Sequence, residues 1–141
     1  MSFRSFFVSA RKSPAEPVVQ LDRERLSGAE AEALVADHLQ KKSFAILHKN
    51  YSVPSGEIDI VAQWRDVIVF VEVKYLSSSE RYYPEEQVTV SKQKKIIRAA
   101  TQYLLTNPSY VHVRFDVVAV VAQGQGRFEI HHTENAFVDE S

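Results

Sequence analysis

The chain has 141 residues, 45% of them hydrophobic, a formal net charge of -1 and no cysteine. That is enough apolar material for one domain with a core and too little chain for two. The charge argues against holding nucleic acid by bulk basicity, so a local basic patch would have to do it. Disulfides and thiolate metal sites are excluded, and no apolar run approaches the roughly 20 residues of a membrane-crossing helix. A cytoplasmic protein with no membrane partner is therefore expected.

Residues 1–25, with Pro14 and Pro17 and no hydrophobic period, predict a flexible N-terminal arm. Arg4, Arg11 and Lys12 among serines also resemble an organelle transit peptide. Residues 26–133 form the expected domain and 134–141 a flexible tail. Ser27 and Glu30 have capping-box spacing, which predicts a helix from there to about Lys41. Within it Glu32 shares a stripe with Val35, Ala36 and Leu39. It is either an inward-facing carboxylate or an ordinary first-turn acid favoured by the helix dipole. Phe44 to Tyr51 predicts a short strand, and the Val-Pro-Ser-Gly run that ends at Gly56 predicts a turn.

From Gly56 to Lys74 the sequence GEIDIVAQWRDVIVFVEVK predicts a hairpin that keeps Glu57, Asp59, Glu72 and Lys74 among β-branched and aromatic residues. Alternation puts Ile58, Ile60, Ala62 and Trp64 on one face and Glu57, Asp59, Val61 and Gln63 on the other. A turn centred on Arg65 and Asp66 sets Asp59 across from Glu72 and Glu57 across from Lys74. Opposed like charges destabilise a sheet, whereas two carboxylates with backbone carbonyls and waters suit Mg2+ or Mn2+. Lys74 then orients a water or balances charge on a phosphoryl group. A Glu57–Lys74 salt bridge with Asp59 as a solvated edge residue is the structural alternative.

The segment SSSERYYPEEQ predicts a mobile loop whose Tyr82 and Tyr83 either stack on bases or pack beneath it. The next helix, about Ser91 to Thr106, is expected to bury Ile96, Ala99, Ala100, Tyr103 and Leu104. Its early turns carry Lys92, Lys94, Lys95 and Arg98 against the dipole, so a phosphate or the upstream Glu85 and Glu86 should lie nearby, unless the lysines form a solvated face that needs no partner. Tyr110 to Ala122 predicts a long strand with Val111, Val113, Phe115 and Val117 on one face and an Arg114–Asp116 ion pair on the other. Gly124 and Gly126 turn it into a last strand, Arg127 to His132. His131 and His132 read as surface residues, and His38, His48 and His112 lack metal-ligand spacing.

An early helix glutamate, GEID, VEVK, a lysine-bearing helix and RFDVV, in that order over Leu26 to Ile130, resemble the YraN-like family. That family is similar in turn to the Holliday-junction resolvase branch of the PD-(D/E)xK nucleases. Ala31 stands where the family has glycine, and Ile58 where the superfamily has proline. The resemblance implies an α/β, restriction-endonuclease-like core: a central mixed sheet flanked by helices, in the order α-β-β-β-α-β-β. It also implies Asp59 and Glu72 as ligands of Mg2+ or Mn2+, Lys74 as the catalytic lysine, and Glu32 completing the site. Lys92, Lys94, Lys95 and Arg98 would contact DNA, branched or flapped by resemblance, and a homodimer is compatible. A nucleic-acid-binding module that does not cut, and an interaction protein without nucleic acid, are the competing readings.

Overall fold

A computed structural model describes residues 16–83, 88–108 and 112–139. Its elements are β1 (Val18–Gln20), α1 (Gly28–Lys41), β2 (Ala45–Val53), β3 (Gly56–Trp64), β4 (Val67–Leu76), α2 (Val90–Thr106), β5 (His112–Gly124) and β6 (Arg127–Phe137). The expected helix–strand–strand–strand–helix–strand–strand series is present, preceded by β1. Six strands form one mixed sheet in the order β1-β6-β5-β4-β3-β2. Only β4 and β5 run parallel, and α2 supplies the long crossover that a parallel pair requires.

The local chemistry accounts for the elements. The Ser27 hydroxyl accepts from the Glu30 amide while Glu30 accepts from the Ser27 amide, so the predicted capping box starts α1. Thr89 caps α2 by accepting from the Lys92 amide. The two-residue turn Arg65–Asp66 joins Trp64 to its partner Val67, with Arg65 at φ 56°. Along β4, Val69 and Val71 face α1, and Ile68 and Phe70 face α2. A strand covered on both faces must be apolar on both. The α1 side buries Val35, Leu39, Ile60, Val118 and Phe128; the α2 side buries Ile96, Ala99, Tyr103, Phe115 and Val117. Leu104, expected in the core, is only partly buried.

Two ends of the chain differ from the sequence reading. β1 lies inside the segment read as an arm, where Val18 pairs with Glu129 and Leu21 N–H donates to Gly126 O at 2.8 Å. Three residues beside a proline carry no readable period, and their strand exists only because β6 offers an edge. β6 itself runs to Phe137, past the expected end at His132 and into the segment read as a tail. Phe137 stacks on Phe115, ring centroids 5.0 Å apart, and this burial holds the extension. Arg4, Arg11, Lys12, Glu85, Glu86, Tyr110 and Val111 lie outside the described residues.

Candidate active site at a fork in the sheet

β3 and β4 pair from Trp64–Val67 to Ile60–Val71 and then separate. β3 stays on β2 to the Val53–Gly56 pair, and β4 stays on β5 to Leu76–Val121. The register carried one step further sets Asp59 opposite Glu72, as the sequence predicts. At that step the ladder is replaced by a side chain: Asp59 Oδ2 accepts from Val73 N–H at 2.8 Å. In a strand, one residue's N–H and C=O share an edge, so the Val73 carbonyl faces the fork as well.

The predicted face alternation fails here. Ile58 packs with Val61 and Ile96 on the α2 side, whereas Ile60 packs on the α1 side. β3 therefore turns about Asp59, because it leaves one neighbour and follows the other. Gly56 makes the turn possible: a Cβ there would sit 2.3 Å from the Lys95 carbonyl oxygen. Only glycine lets the start of β3 lie against α2 this closely.

The opening brings together groups from both faces. Glu72 is buried, 8% exposed, and Lys92 Nζ from α2 lies 2.5 Å from its Oε2. Burial, and then the Glu72 carboxylate, push Asp59 up to about 7. Glu32 reaches the same acids from α1. Its carboxyl is raised by burial, then by the charge of Asp59, against a hydrogen bond from Asn50; Glu57 adds a smaller push. Lys74 follows Glu72 by two residues and is half-buried. Its charge makes a minor contribution to holding Glu80 below the usual range, after the Ser77 amide and hydroxyl. Asn50 carried no signal in the sequence beyond being an asparagine in a strand; its backbone is left-handed, φ 55°, which asparagine tolerates.

The four cations expected to meet phosphate divide among three places. Lys92 enters the fork. Lys95 lines a cleft of about 460 Å3 with Ser52, Gly56, Glu57 and Ser91. Lys94 and Arg98 border a separate groove with Val90, Ile97 and Val138. Of the loop aromatics, Tyr82 packs on Ala119 and Val121 and lies 4.5 Å from the His131 ring, while Tyr83 is exposed.

Among the described residues, no three His, Asp or Glu side chains form a group able to hold a metal ion. Two carboxylates, the Val73 carbonyl and waters remain as the donor set. That set fits Mg2+ or Mn2+, which are commonly held by one or two carboxylates and keep several waters. The raised Asp59 carboxyl points the same way, since a divalent cation would relieve the like-charge contact.

A second buried cluster lies on the α1 side. Asp116, fully buried, accepts from Arg114 Nε at 2.8 Å and Nη2 at 2.9 Å, from Asn135 N–H at 2.9 Å, and from His132 Nε2 at 2.8 Å. With Nε2–H given to Asp116, His132 Nδ1 is left as the acceptor facing His38 Nε2 at 3.3 Å and Lys42 Nζ at 3.2 Å. The predicted Arg114–Asp116 pair is present. The surface reading of His132 is corrected: its side chain is 4% exposed. His38 is also buried. The sequence hid both because the two histidines are 94 residues apart and meet only when α1 docks on β6. Burial pushes Asp116 up, but the bonds from His132 and Arg114 hold it below the usual range.

Comparison with known proteins then places the chain. The model described as Uncharacterised protein family UPF0102 matches residues 31–120, which include both clusters' acids. The chain belongs to the UPF0102, or YraN-like, family. It is similar to a UPF0102 protein of Lachnoclostridium phytofermentans, 40% identical over 115 residues covering 80% of this chain and 93% of the relative. A UPF0102 protein of Chlorobaculum parvum is 43% identical over 118 residues, covering 79% and 91%. One of Alkaliphilus oremlandii is 43% identical over 113 residues, covering 78% and 96%. No helix among the described residues is long and apolar enough to cross a membrane.

Proposed function

We propose that this UPF0102 protein is a Mg2+- or Mn2+-dependent endonuclease that hydrolyses DNA phosphodiester bonds, with branched or flapped DNA as the preferred substrate. One observation carries the reading: Asp59 and Glu72 are pressed together at a gap in the sheet, with Asp59 raised to about 7 by burial and by Glu72. With both carboxyls charged such a contact costs stability, and perturbed acids of this kind concentrate at functional sites.

A bound divalent ion would supply a hydroxide at neutral pH and stabilise charge on phosphorus. Asp59 and Glu72 would hold it, with Val73 C=O as a backbone donor. The Val73 N–H fixes one Asp59 oxygen and so orients the other. Glu32 approaches from α1 and accepts a proton or orients a water. Lys74 positions the attacking water and balances developing charge.

The test is purified protein with and without Mn2+, given single-stranded, duplex, flapped and four-way-junction DNA. Cleavage is expected only with metal and only with Asp59 intact. Lys74→Ala should leave metal and DNA affinity within a few-fold while slowing hydrolysis by about a hundredfold or more. A folded Lys74→Ala protein cutting at the wild-type rate overturns the mechanism. Binding without cleavage under every metal would make the protein a DNA-binding module of the same fold.

A further inference from the structure

We infer that Lys92 is the site's resident counter-cation: its ammonium holds the Glu72 carboxylate until a divalent ion displaces it, and it then becomes the ligand of the substrate phosphate. The inference rests on the reading of Asp59 and Glu72 as the metal pair.

The geometry carries it. Glu72 is buried, yet its Oε2 holds Lys92 Nζ at 2.5 Å. The pair is lopsided: the Glu72 side chain is 9% exposed and that of Lys92 54%. The carboxylate is fixed in the sheet, whereas the lysine arrives from solvent on a flexible four-carbon stem that can swing away. An ammonium and a divalent cation held by the same buried carboxylate compete for it, since like charges brought close repel. Metal entry therefore weakens or displaces the Lys92 contact.

The displaced group has a defined place to go. Lys92 also lines the 460 Å3 cleft between the first turns of α2 and the β2–β3 turn, beside Ser91 and Lys95. Lys92 thus borders both the acid pair and the cleft, so an ammonium released from Glu72 stays within reach of a phosphodiester bound there. Lys92 and Lys74 then take different tasks. Lys74 serves the water from the strand, and Lys92 grips a non-bridging oxygen from the helix. The four cations of α2 are thus unequal, and Lys92 alone couples metal loading to substrate binding.

Calorimetry of the full chain with MnCl2 tests this, comparing wild type with Lys92→Met, Lys92→Gln and Lys95→Met. Losing the competing charge-assisted hydrogen bond should tighten Mn2+ binding by about tenfold in Lys92→Met. Lys95→Met, a loss of nearby charge without the Glu72 contact, should change it by no more than about twofold. Lys92→Gln keeps a donor toward Glu72 without the charge and should tighten binding in the same direction, which covers the case that Lys92→Met fails to fold. With Ca2+ replacing Mn2+, the Lys92 variants should bind flapped DNA more weakly than wild type despite their tighter metal site. Unchanged or weaker Mn2+ binding in a folded Lys92 variant, with wild type binding normally, overturns the inference and leaves the metal site standing. No Mn2+ binding by wild type overturns both.

Discussion

Two buried aspartates sit on this sheet in opposite electrostatic situations. Asp116 is surrounded by donors: an arginine, a histidine and a backbone amide satisfy both oxygens. Asp59 has one amide and faces another carboxylate. The first carboxyl is held below its ordinary range and the second is driven well above it. Asp116 also ties a register shift in the β5–β6 ladder, where Asn135 at φ 54° gives it an amide. A carboxylate with complementary partners holds the fold together. One opposed by its own kind costs stability once both are charged.

That contrast can be broken most violently at Asp116. Asp116→Ala strands the Arg114 and His132 donors in the core and should cost about 3–5 kcal/mol, read as a lower urea midpoint with the slope unchanged. Next is Gly56→Ala, which forces α2 away from β3 and should cost about 1–3 kcal/mol. The same variant should weaken Mn2+ binding, since the turn about Asp59 depends on that approach.

Asp59→Asn should act with the opposite sign. Because the folded carboxyl is raised to about 7 from 3.8, the folded state holds a proton that the unfolded chain has lost. Stability of the metal-free protein therefore falls as pH rises from about 4 to 7. The asparagine keeps an acceptor for Val73 and removes the penalty, so at pH 8 the variant should be more stable by on the order of 1–2 kcal/mol, discounted for partial solvation. The gain should vanish below pH 4, and in saturating Mn2+ wild type should overtake the variant. A destabilised variant at pH 8 without metal would mean that Asp59 is structural like Asp116.

The smallest effect is expected at His38. Burial, then the neighbouring His132, lower it to about 4 from 6.5. The unfolded chain gains a proton first as pH falls, so this group removes stability between about pH 6.5 and 4. His38→Gln should flatten that loss by about 1 kcal/mol at pH 5, visible as a smaller drop in Tm relative to wild type. Since Asp59 pulls the other way over the same window, the two variants measured together separate the clusters.

How much was legible follows from these particulars. The capping box at Ser27, the two-residue turn at Arg65–Asp66, and the facing of Asp59 and Glu72 are local rules of period 3.6, of turn chemistry and of period 2, so the chain itself states them. The candidate acids stood out because charge in an apolar run violates those rules without local compensation. The turn of β3 at Asp59 was not, since alternation assumes a strand with constant neighbours. Nor were the Lys92–Glu72 contact, the burial of His38 and His132, and the seating of β1 on β6. Each joins residues far apart in sequence across two or more elements, and each depends on which face a helix docks against. Sequence determined the elements and the chemistry they carry; tertiary structure decided which charges meet, because a side chain's partners are set by packing geometry that no local period encodes.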